Sequence, residues 1–405
     1  MRLVFVNRFF CPDHSATSQI LTDLCFALAA SGHEVHVVTS RLRYDDPAAR
    51  LAPEETESGV KVHRVWTSRF GRGSLFGRAA DYLTFYLGAL WRLVRLADRE
   101  TTLVAKTDPP MISVVGAVAA RATGARLVNW TQDLFPEVAV AVGMHVMPPV
   151  VARVLMAIRD WSFASARLTV VIGDRMGAEV TARGVPPARV AVIHNWADGE
   201  SIAPLAHASN PLRDAWDLQG KFVVGYSGNL GRVHEFDTIL DAAERLRERP
   251  DIVFLFIGGG HGMDALKAEV GKRALSSVRF RAYQPRERLA RSLGACDAHL
   301  VTLRPELEGL VVPSKFYGIL AAGRPVLFVG ARDGEIQDLI RGAQCGEVFP
   351  AGAAGSLAEG IVRLARDPSL ARQWGDNGRR LFDQRFSAGL ALSRWERCLI
   401  DVSRS

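Results

Sequence analysis

The sequence RPELEGLVVPSKFYGILAAGRPV, at residues 304–326, joins a strand pattern to a helix pattern and thereby indicates the fold class of this chain. An apolar run from Asp297 to Leu303 precedes it and is typical of a buried strand. Two carboxylates, Glu306 and Glu308, then lie in a loop before the helix pattern begins. A strand, a loop and a helix in this order are typical of one unit of a parallel α/β sheet.

Ser314 is a favoured N-cap residue, so a helix is predicted from Lys315 to Ala322, with a stop at Gly323. Free N–H groups and the dipole at a helix start attract anions, and Lys315 adds a positive charge there. A loop carboxylate beside such a helix start favours a substrate that joins a sugar to a phosphate. The alternative is a plain strand–loop–helix unit whose acidic loop is solvated.

Short β-branched runs alternate with helical patterns along the rest of the chain, which predicts βαβ units and an α/β fold with parallel sheets. A chain of 405 residues exceeds what one hydrophobic core usually serves. The predicted bounds are 1–198 for an N-terminal Rossmann-like domain, 199–220 for a linker, 221–385 for a C-terminal Rossmann-like domain and 386–405 for a C-terminal helix. Two doubly wound domains of this kind are expected to face a central cleft.

The composition indicates a soluble globular protein, with 48% hydrophobic and 23% charged residues. No uninterrupted apolar run approaches the length of about 18 residues that predicts a transmembrane helix. The N-terminus is predicted to be a strand and not a signal peptide. The five cysteines have no paired spacing, which suits a reducing cytoplasm and argues against a disulfide or zinc framework. The net charge of +7 is spread over both halves, which disfavours nucleic acid as a partner.

Two glycine-rich turns follow strand patterns in the predicted C-terminal domain. The sequence SGNLGR occupies residues 227–232, and GGG occupies residues 258–260. Glycines at the end of a strand let backbone amides approach a diphosphate, and an arginine there can clamp it. Each turn taken alone is equally consistent with ordinary turn punctuation. The donor-binding candidates from these turns are Gly228, Asn229, Arg232, Gly258 and Gly259.

Three polar loops follow strand patterns in the predicted N-terminal domain, at residues 11–18, 106–110 and 131–137. All three lie at carboxyl ends of strands and suit an anion or a hydroxyl-bearing ligand. The alternative for the first loop is ordinary helix capping by Thr17 or Ser18. No set of His, Asp and Glu has the spacing of a metal site, so neither a metal nor a cofactor is expected.

The segment from Ser74 to Arg99 is predicted to form one long helix with a basic stripe. The stripe consists of Arg78, Asp81, Gly88, Arg92, Arg95 and Arg99. The remaining positions are mostly Leu, Phe, Tyr, Trp and Ala. A basic helix rich in aromatic residues can lie in a membrane interface. It can equally pack within a Rossmann-like domain with its arginines outside, and the sequence leaves both alternatives open.

Several of these segments match a known family: the chain resembles the retaining glycosyltransferases of family 4, which have the two-domain GT-B fold. The resemblance covers nearly the whole chain. Its landmarks are GHEVHVVT at 32–39, DLFPE at 133–137, RGVPPARVAVIHNWAD at 183–198, GYSGNLG at 225–231, FIGGG at 256–260 and PSKFYGILAAGRPV at 313–326. The stretches DHSATSQ, TDPP, NWTQDLFPE and YQPRE are similar to the subset that builds bacterial surface polysaccharides on a polyprenyl diphosphate lipid.

The resemblance implies a role for each matched position. Arg232 and Lys315 are expected to neutralise the donor diphosphate, and Glu308 is expected to contact the transferred sugar, with Glu306 as a competing candidate. The other implied donor-binding residues are Tyr283 and Gln284 near the base, and Ser314. The implied catalytic residues are Glu308, Asp133 and His14. The implied acceptor-binding residues are Asp13, Ser15, Thr17, Ser18, Lys106 and Gln132, with either Asp133 or Gln132 facing the reacting carbon.

Three features depart from the family's pattern. The second glutamate of its E-x7-E motif, which holds the ribose, aligns with Gly318. The lysine that usually follows the glycine turn is His234. The loop that carries the first glutamate also differs in length. These departures bear on the ribose contact and leave the expected phosphate site in place.

The resemblance predicts a retaining transferase that moves a sugar from a nucleotide donor, a UDP-sugar, to a lipid-linked glycan in surface polysaccharide synthesis. The protein is expected in the cytoplasm, peripherally bound to the inner face of the membrane, with its C-terminal helix returning toward the N-terminal domain. Two alternatives remain: a nucleotide-sugar 2-epimerase of the same architecture, and a nucleotide-sugar-binding subunit with reduced catalysis, which Gly318 suggests.

Overall fold

The computed structural model describes residues 1–13, 15–44, 46, 48–71, 75–143 and 148–404. The chain forms two compact units, one of Met1–His194 with Ala391–Ser405, and one of Asn195–Leu390. Residues 199–220, predicted as a linker, lie within the second unit. His14, the catalytic candidate from the first polar loop, lies outside the described residues.

The first unit is built on an eight-stranded sheet. Its strands are β1 (Arg2–Val6), β2 (Glu34–Ser40), β3 (Glu54–Glu57), β4 (Val60–Val65), β5 (Thr101–Lys106), β6 (Arg126–Thr131), β7 (Leu168–Val171) and β8 (Val190–Val192). Its helices are α1 (Ala16–Ala30), α2 (Leu75–Leu96), α3 (Ile112–Thr123), α4 (Glu137–Ala141), α5 (Pro149–Ser165) and α6 (Asp174–Ala182). The strand order is β3-β4-β2-β1-β5-β6-β7-β8, and all neighbours pair in parallel except β3 with β4.

The predicted α/β fold is confirmed in this unit, although strand β3 and the short helix α4 were not predicted. Strands β1, β2, β5 and β6 are almost continuously buried, as expected when helices cover both faces of a parallel sheet. The sequence of β3 is EETE, which has no apolar alternation, and all four residues are exposed. Its strand conformation comes from the ladder with β4, and its charges are typical of a sheet edge.

The predicted stripe does not form one exposed basic face on α2, because Asp81 is buried and Arg92 is half-buried, whereas Arg95 and Arg99 are exposed. Buried residues Phe85, Ala89 and Leu93 join the core of the first unit, and Asp81 is also buried. Arg92 is engaged with His63 across a 2.9 Å contact between guanidinium and Nδ1. The apolar residues that α2 exposes are Phe76, Leu83, Leu87, Trp91 and Val94.

The second unit contains a six-stranded, entirely parallel sheet in the order β11-β10-β9-β12-β13-β14. Its strands are β9 (Phe222–Asn229), β10 (Ile252–Gly259), β11 (Val278–Arg281), β12 (Ala298–Thr302), β13 (Val326–Gly330) and β14 (Gly346–Pro350). Its helices are α7 (Pro211–Ala215), α8 (Asp237–Arg245), α9 (Met263–Lys272), α10 (Leu289–Gly294), α11 (Lys315–Ala321), α12 (Glu335–Ala343), α13 (Ala354–Arg366) and α14 (Pro368–Arg385). The chain ends with α15 (Ala388–Arg404), which spans the unit boundary.

The core of the second unit aligns the strand ends that carry the predicted donor residues. Tyr226, Phe254 and Phe256 are fully buried and pack with α8 and α13 against one face of the sheet. Strands β9 and β10 pair over their full length, so that Gly228 lies beside Gly258. Because β12 pairs with β9 on its other side, the loop from β12 to α11 leaves the same edge of the sheet.

Candidate functional site

The two glycine turns meet at the ends of β9 and β10 and leave no room for side chains. A Cβ atom on Gly258 would lie 2.1 Å from the carbonyl oxygen of Gly228, and both residues have positive φ, of 143° and 133°. A Cβ on Gly260 would lie 2.0 Å from Oδ1 of Asn229. Glycine is therefore required here by close contact and by backbone conformation. The turns present bare backbone, as a site for a diphosphate needs.

We expect Gly258→Ala to damage this edge of the sheet, because the added methyl group has no space beside Gly228. The free energy of unfolding should fall by about 1–3 kcal/mol, the scale for a residue forced into a sparsely populated conformation. Denaturant unfolding of the variant measures this loss. Gly271→Ala on α9 is the matched control, since nothing lies within 4 Å of its Cβ position. Equal stability of the two variants would contradict the requirement for glycine at position 258.

Lys315 begins α11 and extends to the glycine turn of β9. Its Cε lies 3.4 Å from the position of a Cβ on Gly228. Its Nζ donates to the Tyr226 hydroxyl at 2.5 Å and lies 4.0 Å from the centre of that ring. Burial holds the pKa of the Lys315 ammonium well below its ordinary value. Among the described residues no carboxylate forms an ion pair with it, so no counter-charge lies beside this buried amine.

His234 accepts a second hydrogen bond from Lys315. Its Nδ1 donates to the carbonyl of Thr302 at 2.7 Å, which leaves Nε2 as an acceptor 3.1 Å from Lys315 Nζ. Burial, together with the Lys315 ammonium, lowers the pKa of His234 to about 3, so the ring is neutral. Tyr226 in turn donates to the carbonyl of Asn229 at 3.0 Å. Tyr226 and His234 were missed as site residues, because neither position carries a local signal of contact with a lysine on α11.

Ser314 occupies the N-cap position of α11, as predicted, but its side chain makes no capping hydrogen bond. Its own backbone is helical there, with φ of −62° and ψ of −23°, and not the extended form that aims a capping hydroxyl at the helix amides. The helix ends before Gly323, which has φ of 62° as predicted for a glycine stop.

Glu308 is attached to the next helix along the chain. Its Oε1 accepts from the backbone N–H of Glu335 at 2.7 Å, at the first residue of α12. A Cβ on Gly334 would lie 2.4 Å from Oε2 of Glu308, so a glycine is needed at that position. Glu306 lies in the 3₁₀ turn Pro305–Leu307 and is exposed. The two competing carboxylates therefore differ, since Glu308 accepts a hydrogen bond from the start of α12 and Glu306 is solvated.

The remaining donor candidates lie at the rim of the same sheet edge. The ring of Tyr283 is within 3.3 Å of a Cβ position on Gly259, although 57% of the residue is exposed. Gln284 donates to the carbonyl of Ala282 at 3.0 Å. Arg232 is exposed on the turn after β9. The second unit thus brings Gly228, Gly258, Gly259, Tyr283 and Lys315 to one place.

In the first unit, Asp13 stabilises its own loop. Its carboxylate accepts from the backbone N–H of Ser15 at 2.8 Å and from that of Tyr44 at 2.5 Å. Ser18 is buried and donates to the carbonyl of Asp13 at 3.3 Å. The N-cap of α1 is Ser15, and its side chain makes no capping bond, so the alternative of capping by Thr17 or Ser18 is wrong.

Lys106 does not present its ammonium to a ligand, contrary to its predicted role at the acceptor. The residue is fully buried at the end of β5, with Nζ 3.2 Å from the centre of the Trp130 ring. Trp130 packs in turn on Trp395 of α15, with ring centroids 4.4 Å apart. Burial lowers the pKa of Lys106 well below its ordinary value, which is consistent with a neutral amine in a core.

Asp133 is a buried carboxyl group in the third polar loop. Burial, with a contribution from the Asp108 carboxylate, raises the pKa of Asp133 to about 7. Gln132 beside it is positioned by its backbone N–H, which donates to the hydroxyl of Thr107 at 2.8 Å. Arg8, which follows β1 and was not predicted, is buried with its guanidinium 3.8 Å from Asp81.

Both halves of the chain match known domain families. Residues 16–196 match the glycosyl transferase 4-like domain, and residues 210–381 match the glycosyl transferases group 1 domain. WbjE of Pseudomonas aeruginosa, named as a probable glycosyltransferase, is 28% identical over 76% of this chain and 76% of its own. WcaI of Escherichia coli K12, whose name assigns it as a glycosyl transferase to colanic acid biosynthesis, is 24% identical over 80% of this chain and 82% of its own.

A solved structure with the same fold is known in complex with a nucleotide sugar. HepE of Anabaena, bound to UDP-glucose, superposes with a TM-score of 0.74 at 16% identity, over 99% of this chain and 100% of its own. At that level of identity the likeness concerns the fold alone. It agrees with the two parallel-sheet units described above.

Proposed function

The chain belongs to the glycosyltransferases that combine a glycosyl transferase 4-like domain with a group 1 domain, and from this we propose that it transfers a sugar from a UDP-sugar to a lipid-linked glycan. The proposed acceptor is a hydroxyl group of a glycan on a polyprenyl diphosphate lipid, in bacterial polysaccharide synthesis. The name of WcaI, which assigns that relative to colanic acid biosynthesis, supports the role in polysaccharide synthesis.

The buried amine of Lys315 at the glycine turns is the observation that carries this proposal. Lys315 reaches the turn of Gly228 without a carboxylate partner among the described residues, and Gly258 beside it has no side chain. A diphosphate supplies the negative charge that such a place lacks, and it accepts hydrogen bonds from bare amides. Lys315 and the exposed Arg232 then offset the charge of the leaving group, which a divalent cation does in other enzymes.

The donor base is proposed to be uracil, next to Tyr283 and Gln284. A UDP-glucose complex of HepE, which shares the fold, supports this choice. The exposed ring of Tyr283 against Gly259 offers a flat apolar surface for a base. Gln284 supplies an amide that can pair with a base edge.

The proposed reaction retains the configuration of the anomeric carbon. The acceptor hydroxyl attacks on the face from which the diphosphate leaves, and the departing phosphate oxygen takes its proton. The bond between the anomeric carbon and that oxygen breaks, and a bond to the acceptor oxygen forms. Glu308 is proposed to contact the sugar and to stabilise the positive charge that develops at the anomeric carbon.

An assay with radiolabelled UDP- and GDP-sugars and a bacterial membrane lipid extract tests the function. Label that moves from a UDP-sugar into the lipid fraction supports the proposed transferase. An isomerised nucleotide sugar without lipid label would establish the 2-epimerase instead. Binding without any turnover would indicate the subunit with reduced catalysis. Transfer only from GDP-sugars would correct the donor and leave the reaction class intact.

The apolar helix face of the first unit is proposed to contact the membrane that carries the acceptor. Helices α2, α3 and α5 pack side by side. Helix α3 lies between α2 and α5, and α5 exposes Val150, Val151, Val154, Ile158 and Trp161. Arg95 stacks on Trp91 at 4.1 Å, so a cation borders the apolar surface. An apolar face with basic residues at its edge suits an anionic bilayer, whereas a symmetric dimer would set these arginines against each other. None of the helices in the described ranges has the length and hydropathy to cross a membrane.

We expect the triple variant Leu83→Gln, Leu87→Gln, Trp91→Gln to bind anionic vesicles at least about tenfold more weakly, because it loses large apolar side chains that would be buried in the bilayer. Sedimentation with phosphatidylglycerol vesicles at low salt measures this. The comparison pair Arg95→Gln, Arg99→Gln should lose about 1 kcal/mol of binding free energy per charge at low salt, and its difference from wild type should shrink at high salt, which screens the charges. Both variants should still glycosylate a soluble acceptor analogue. Wild-type protein that never sediments would refute the membrane contact.

A further inference from the structure

His234 and Tyr226 fix the direction of the Lys315 amine. Two of its hydrogens go to Tyr226 Oη at 2.5 Å and His234 Nε2 at 3.1 Å. The tautomer of His234 is set by its bond to Thr302, and the hydroxyl of Tyr226 is committed to Asn229. Both partners are therefore acceptors toward Lys315. A third hydrogen exists only on the protonated amine, and it is available to a ligand at the glycine turn of Gly228.

The partners of Lys315 are neutral, so nothing in the empty site stabilises the protonated form of its amine. The ionisable groups around it are Tyr226, His234 and Arg304, whose guanidinium lies 3.4 Å from the His234 carbonyl. Burial, with a contribution from the Tyr283 hydroxyl, raises the pKa of Tyr226, and Arg232 is exposed. None of these groups is an anion at neutral pH. A bound diphosphate would be the first negative charge to reach the amine.

We propose that His234 positions the Lys315 amine, and that the donor diphosphate binds together with one proton taken up by that amine. This inference rests on the proposed function, since it concerns the same donor site. Burial holds the pKa of Lys315 low in the empty site, and an adjacent dianion raises it again. Donor affinity is then constant at low pH. It falls by up to about tenfold per pH unit between the pKa of the free site and that of the complex.

Calorimetric titration with UDP-glucose from pH 6.5 to 8.5 tests the proton uptake, in pairs of buffers that differ in ionisation enthalpy. UDP-glucose is the appropriate probe, because its diphosphate is a diester, whereas the terminal phosphate of UDP titrates near pH 6. We expect wild-type protein to take up a fraction of a proton that grows with pH. Lys315→Arg, whose charge is permanent, should bind with no uptake and no pH dependence.

Two His234 variants test the positioning. His234→Phe keeps ring contacts with Tyr226 and Phe236 but removes the acceptor, so UDP-glucose should bind at least about tenfold more weakly. His234→Gln should restore binding, since its amide can accept from Lys315 and donate to Thr302. Wild-type protein that binds without proton uptake overturns the inference, and so does unchanged affinity in His234→Phe. If no nucleotide sugar binds at all, the proposed function itself fails. The measurement on wild-type protein tests the proton uptake even if a variant does not fold.

Discussion

Lys315→Met is expected to weaken nucleotide-sugar binding by about 1.5–3 kcal/mol, the scale of a lost hydrogen bond to a charged group. The methionine keeps the length and apolar stem of the side chain, so its packing beside Tyr226 and Gly228 is preserved while the charge is lost. Calorimetry with UDP-glucose measures the loss. The catalytic rate with a membrane acceptor should fall as well, since the same charge stabilises the leaving diphosphate.

Lys272→Met is the matched control for this experiment. Lys272 ends α9, is largely exposed and lies 3.7 Å from the Glu269 carboxylate, so its removal should leave donor affinity unchanged. Arg232→Ala is the informative comparison, because Arg232 is exposed on the turn after β9 and should contribute less than Lys315. Unchanged affinity in both Lys315→Met and Arg232→Ala would remove the proposed diphosphate site.

Glu308→Gln is expected to reduce turnover about a hundredfold or more, the scale for losing a placed electrostatic group, with little change in affinity for UDP. Glutamine retains an oxygen that can accept from the Glu335 N–H, so the start of α12 should remain intact. What the variant loses is the negative charge available to the anomeric carbon. Steady-state kinetics with a fixed lipid acceptor measures turnover, and denaturant unfolding shows whether the helix attachment survives.

Glu306→Gln is the control, because Glu306 lies two residues earlier in the same loop and is exposed. It should retain most of the activity. If Glu306→Gln abolishes turnover and Glu308→Gln does not, the solvated carboxylate is the sugar contact. In that event Glu308 serves only to attach the loop to α12.

Much of the fold could be predicted because its signals are local. The run FVVGYSGN is a strand ending in a turn, and the segment after Ser314 is a helix that stops at a glycine, whatever else the chain does. Gly228 and Gly258 could be proposed from sequence for the same reason, since each follows a strand in a parallel sheet. Strand β3 could not be predicted, because its acidic residues become a strand only through pairing with β4.

Local sequence patterns were sufficient to predict the two α/β domains, the glycine turns and the approach of Lys315 to a strand edge. The contacts of the individual polar side chains became known only from the folded chain. Lys315 meets Tyr226 across 89 residues of sequence, and Glu308 is attached to a helix start 27 residues later. The sequence of α2 likewise showed which residues share a face of the helix, but it did not show which face would pack against the sheet. Such contacts depend on which elements become neighbours, and this follows from burial of the whole core, which no local pattern encodes.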